Sequence, residues 1–60
     1  MRINAENLGY RETYRLAEFM MRIADKGIPN DTAEEFGYDA YRDEAYCETE
    51  NGNVLWADAE

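Results

Sequence analysis

Residues 30–43 read Asn30-Asp31-Thr32-Ala33-Glu34-Glu35-Phe36-Gly37-Tyr38-Asp39-Ala40-Tyr41-Arg42-Asp43, and the fold turns on whether they form a helix or a strand. Thr32 followed three residues later by Glu35 fits a capping box, in which two side chains satisfy the free N–H groups of a starting helix. Gly37 weakens such a helix, and Tyr38 and Tyr41 suit a strand equally well. The capping signal favours a short helix over residues 32–43. On that helix Asp31, Glu35, Asp39 and Asp43 would fall on one face, with neighbours about 5–6 Å apart.

Upstream, the pattern from about residue 5 or 8 to Lys26 is that of a long amphipathic helix. Tyr10, Tyr14, Ala17, Met21 and Ala24 form one row at helical spacing, and Thr13, Leu16, Met20 and Ile23 the row beside it. Together they predict an apolar arc of about half the circumference. Phe19 then falls on the opposite arc, among Glu12, Arg15, Arg22 and Lys26. Asn4 and Asn7 are candidate N-caps. Gly27 and Pro29 end the helix, and Ile28 can fold back toward Ile23.

Downstream, Asn51-Gly52 predicts a two-residue type I′ hairpin turn, because both its positions need positive φ. That register sets Thr49 opposite Val54, Cys47 opposite Trp56 and Ala45 opposite Asp58. The Cys47 and Trp56 side is the expected core face. Two strands alone are marginal in water; residues 1–3 or 36–41 could add a third. The expected architecture is α+β: one long amphipathic N-terminal helix, a short second helix and a C-terminal antiparallel β-hairpin, in a single small acidic domain spanning residues 1–60.

Sixty residues bury only about 60% of the surface of the unfolded chain. A core of that size supplies roughly 3–5 kcal/mol, so a partner or a second copy is a natural supplement. The wide arc of the first helix leaves room for a homodimer there.

The net charge is −8 and unevenly spread. Residues 1–30 carry five basic and four acidic groups; residues 31–60 carry Arg42 against ten acidic groups. Direct binding of the second half to nucleic acid or to an anionic membrane is opposed by repulsion. A cationic partner suits it. No stretch is long and apolar enough to span a bilayer, and no basic-then-apolar segment marks a secretory signal. With one unpaired cysteine, a reducing cytoplasm is the expected compartment.

The chemistry that the chain could carry is narrow. There is one cysteine, Cys47, and no histidine. No disulfide, no metal site and no cofactor is therefore expected. Acidic neighbours disfavour a Cys47 thiolate, which makes a packed small residue the better reading. A calcium loop begun at Asp39 places Glu44 where glycine is needed, and one begun at Cys47 opens on a thiol. The expectation is a protein that is not an enzyme.

What remains is a binding surface. Its candidate residues are Asp31, Glu34, Glu35, Tyr38, Asp39, Tyr41, Asp43, Glu44, Glu48 and Glu50, with tyrosines interleaved among carboxylates. Tyrosine is a frequent interface anchor. Charge reversal of Asp39 and Asp43 is expected to abolish binding and spare the fold. Tyr41→Ala is expected to weaken binding more than Phe19→Ala. Whether Phe19 and the basic face of the first helix take part stays open.

In size, acidity and single-domain economy the chain resembles the inhibitors that phages use against host CRISPR and restriction enzymes. The resemblance is one of character and rests on no motif. It implies a stoichiometric nucleic-acid mimic that occupies the basic DNA- or RNA-binding groove of a host defence enzyme in the bacterial cytoplasm. The other reading is an acidic interaction module, such as an antitoxin or a small oligomeric accessory protein.

Overall fold

The computed structural model describes residues 1–59. Five elements follow in order: β1 (Arg2–Asn4), α1 (Tyr10–Lys26), β2 (Ala33–Asp39), β3 (Glu44–Thr49) and β4 (Val54–Trp56). They build a four-stranded mixed sheet, ordered β1-β2-β3-β4, with α1 packed on one face. β1 runs parallel to β2, and the other two pairings are antiparallel. The expected combination of a long helix, a short second helix and a C-terminal hairpin is thereby overturned.

The second helix is absent because residues 33–39 are β2. Phe36 and Tyr38, two apart, share one face of a strand, where both pack against the core. A helix would point them about 200° apart around its axis and leave one in water. Tertiary burial overrides the capping signal, and Thr32 does not cap. Its backbone N–H instead donates to the Asp31 side chain. The four-residue carboxylate spacing loses its meaning with the helix: Glu35 and Asp39 lie on β2, while Asp31 and Asp43 lie in the loops flanking it. An irregularity between Ala33 and Glu35 inserts Glu34 as an extra residue opposite β3. Such a bulge lets Ala33 reach the core while Glu35 faces away from it.

α1 starts later than its candidate caps. Its N-cap is Gly9, whose carbonyl accepts from both the backbone N–H and the hydroxyl of Thr13. Asn7 takes a positive φ of 61° in the preceding turn. At the other end Gly27, with φ 74° and ψ 177°, donates its N–H to the Ile23 carbonyl. That backbone region is open to glycine and hardly any other residue.

The buried face of α1 is rotated from the expected arc. Leu16 and Phe19 are buried, with Met20 and Ile23 packed beside them. Phe19 meets Phe36 edge-on, ring centres 6.0 Å apart. The row of Tyr10, Tyr14, Ala17, Met21 and Ala24 faces solvent instead. Phe19 is therefore core, and its basic neighbours arch over it; the Arg22 guanidinium lies 5.3 Å from its ring centre.

The β3–β4 connection is one residue longer than a type I′ turn. Glu48 pairs with Val54, Cys47 with Leu55 and Tyr46 with Trp56. Only Gly52 of the Asn51-Gly52 pair has positive φ, 85°. Three loop residues, closed by Thr49 and Asn53, are held by Asp31 across the gap. Its carboxylate accepts from the backbone N–H of Asn51 and the side chain of Asn53. A slip of one residue reverses every side chain of a strand. Leu55 therefore enters the core beside Cys47, and Trp56 turns to the uncovered face.

Candidate interaction surface

Among the described residues no element covers the second face of the sheet. Its occupants follow from strand alternation: Glu35, Gly37 and Asp39 on β2; Glu44, Tyr46 and Glu48 on β3; Val54 and Trp56 on β4. Across β2 and β3 the facing pairs are Glu35 with Glu48, Gly37 with Tyr46, and Asp39 with Glu44. The two carboxylate pairs stand four residues apart, about 13 Å along the strand. Between them lies the aromatic pair Tyr46 and Trp56, ring centres 6.0 Å apart. Glu35, Asp39, Tyr46, Glu48, Val54 and Trp56 line a shallow trough of about 400 Å³.

Like charges facing each other across a sheet are unfavourable, and each pair is relieved locally. Glu35 accepts from the Tyr46 hydroxyl at 2.8 Å and from Arg2 Nε at 3.1 Å. Both hydrogen bonds hold its carboxyl below the usual range. Glu44 is buried; it accepts from Arg42 Nε at 3.0 Å and from the backbone N–H of Asp58 at 2.8 Å. Arg42 also lies over the Trp56 ring, 3.9 Å from its centre. Asp39 folds back on its own turn, accepting from the N–H groups of Tyr41 and Arg42. Glu48 has no such partner among the described residues.

The ten candidate residues do not form one continuous surface. Glu35, Asp39 and Glu48 gather on the open face beside Tyr46 and Trp56. Glu34 sits at the bulge near β1, 3.7 Å from Arg2. Tyr41 projects fully exposed from the β2–β3 turn, and Glu50 lies in the turn at the opposite end of β3. The other four are engaged by contacts within the fold. Asp31 anchors the β3–β4 turn, and Glu44 is buried beneath Arg42.

Tyr38 and Asp43 belong to a cluster on the helix side. Arg11 donates to both carboxylate oxygens of Asp43, at 3.1 and 2.7 Å, and Arg15 lies 3.5 Å from it. The Tyr38 hydroxyl donates to Asp43 at 2.5 Å and accepts from Arg15 at 3.0 Å. The guanidinium of Arg11 and the Tyr38 hydroxyl hold the Asp43 carboxyl well below the usual carboxylate range. Burial and the same contact push the Tyr38 phenol up. Charge reversal at Asp43 would face Arg11 and Arg15 with a cation, so the expectation that it spares the fold is corrected.

Sequence reasoning overlooked Trp56 because the two-residue turn assigned it to the core. Tyr46 is not among the ten candidates, although the glycine opposite it, Gly37, is a signal of close approach on a strand. Cys47 is fully buried on the helix side, and burial pushes its thiol up. Among the described residues no group of three or more aspartate, glutamate or cysteine side chains is placed to hold a metal ion. Among the described residues no helix is long and apolar enough to cross a membrane. Comparison with protein-family models, with curated proteins and with solved structures returns no match.

Proposed function

We propose that the chain is a non-catalytic inhibitor that binds, through its uncovered sheet face, the nucleic-acid-binding groove of a cationic protein. One observation carries this reading: Glu35, Asp39 and Glu48 surround the paired rings of Tyr46 and Trp56 on a face that no other element covers. Grooves that hold nucleic acid offer cations to phosphates and flat surfaces to bases. Carboxylates beside aromatic rings present the same two chemistries on a rigid sheet. The net charge of −8 adds long-range attraction to such a groove. The resemblance in character to phage inhibitors points to a CRISPR or restriction enzyme in the bacterial cytoplasm as the target class.

The second reading, an acidic interaction module such as an antitoxin, draws on a different detail. Arg2 and Arg42 neutralise part of the same face, which shifts the weight of binding from charge to the aromatic pair. Steep salt dependence belongs to the first reading and shallow dependence to the second.

The test is capture from a bacterial lysate on the immobilised chain at low and high salt, with captured proteins identified by mass spectrometry. The mimic should retain DNA- or RNA-binding proteins that high salt or added duplex DNA or RNA releases. Glu48→Lys and Trp56→Ala should lose them. Capture that survives both substitutions, or that ignores competing nucleic acid, would remove the open face from this role.

A further inference from the structure

The exposed row of α1 is an apolar seam that no other described element covers. Tyr10 is 86% exposed, Tyr14 56% and Met21 72%, with exposed Ala17 and Ala24 between and beyond them. Their alternating spacing of four and three is the repeat by which two helices pack against each other. The seam points away from the sheet, on the opposite side of the molecule from Tyr46 and Trp56.

We infer that this seam joins two copies of the chain as an antiparallel helix pair. The order of side-chain sizes selects both occupant and direction. With the helices antiparallel and their crossing near Phe19, Tyr14 meets the second copy's Ala24, and Ala17 meets its Met21. The two-fold axis repeats both contacts. Tyr14 and Met21 then each face an alanine. Beyond the end of the helix, Tyr10 reaches the second copy's Ile28. Ile28 and Ala24 line an apolar groove of about 340 Å³ together with Met20, Ile23 and Phe36. A parallel pair would stack Tyr14 on Tyr14 and Ala17 on Ala17, crowding one layer and emptying the next.

Charges beside the seam agree with that direction. Arg11, Glu18 and Asp25 flank it on one side, at seven-residue spacing, and the antiparallel arrangement brings the second copy's Asp25 up to Arg11, whose guanidinium also holds Asp43, at both ends. One opposing contact, Glu18 with its own copy at the centre, is softened by Arg22 one turn along. In a parallel pair Glu18 and Asp25 would face Thr13 and Met20, which carry no charge. A 17-residue helix is about 26 Å long, so the contact falls in the small class, below about 1,200 Å². The dimer is accordingly weak and exchanging.

Two copies each carrying −8 repel at a distance, so salt should tighten this association while it loosens the contact of the open face. The experiment is sedimentation of the intact chain from micromolar to millimolar concentration, at low and high salt. The expected result is a rise toward twice the 7.0 kDa of one chain, favoured by salt. Ala17→Glu should keep the mass at one chain throughout while the circular dichroism spectrum stays unchanged. Asp25→Arg, in the last turns of an exposed helix face, should weaken pairing at least tenfold without loss of fold. A wild-type chain that stays single at millimolar concentration overturns the inference, and any other occupant of the seam would leave that result. Pairing that persists in Ala17→Glu also overturns it, and pairing indifferent to Asp25→Arg overturns the antiparallel register.

Discussion

The ring of Tyr46 crosses β2 directly over Gly37, and a Cβ at that position would overlap its hydroxyl and ring carbons. The same ring donates its hydroxyl to Glu35 and stands beside Trp56. Position 37 therefore decides whether the aromatic pair lies flat against the sheet.

Gly37→Ala should displace the Tyr46 ring, break its hydrogen bond to Glu35 and cost about 1–3 kcal/mol through overpacking. The checks are a chemical denaturation curve and the near-ultraviolet dichroism of the tyrosine and tryptophan. Unchanged values of both would mean that the ring does not need the glycine.

Phe19→Ala removes a buried ring from a core whose whole contribution is a few kcal/mol. A loss of about 3–5 kcal/mol is expected, enough to unfold most of a chain this small. Tyr14→Ala, on the exposed row, should change stability by no more than about 0.5 kcal/mol at dilution. Thermal unfolding of the two variants checks the rotation of the helix directly; equal losses would return Tyr14 to the core.

That rotation marks the limit of what the sequence could show. The C-terminal end of α1 was legible because Gly27 and Pro29 act locally. Its angular position was not: Leu16, Met20 and Ile23 meet the core either way, and only the sheet decides whether Phe19 or the Tyr14 row joins them. In the same way Thr32 and Glu35 spoke for a helix by local chemistry, while the alternation of Phe36 and Tyr38 spoke for a strand by burial. Asn51-Gly52 did mark a turn. Its length was set elsewhere, by Asp31 reaching across to Asn51 and Asn53. That Glu48 faces away from the core followed from alternation along the hairpin; that Glu35 and Trp56 join it followed only from the observed strand and its register.

Acid should destabilise the fold. Asp43, Glu35 and Asp31 all have carboxyl groups held below their ordinary values by hydrogen bonds, Asp43 most strongly through Arg11. Each folded-state pKa lies below that of the unfolded chain, so the unfolded chain takes up protons first. The stabilisation is complete above about pH 5 and drains away as pH falls through the ordinary carboxylate range near 4 toward the lower folded values. Thermal midpoints measured from pH 7 down to pH 3 should fall, and less so for Asp43→Asn, which starts lower. A midpoint that rises on acidification would contradict the pairing of Asp43 with Arg11.

Cys47 should resist alkylation by iodoacetamide in the native protein and react on unfolding, because its sulfur is enclosed and its thiol held neutral by burial. Mass spectrometry of timed samples reads the rate. Modification as fast as that of a free thiol would show that the centre of the sheet opens freely.

Both outer strands, β1 and β4, are only three residues long. A border that short exposes few unpaired backbone groups, so another chain finds little ladder on which to extend the sheet. Assembly by strand addition would stall after a few hydrogen bonds. The molecule can therefore leave an aromatic sheet surface bare without inviting fibre growth.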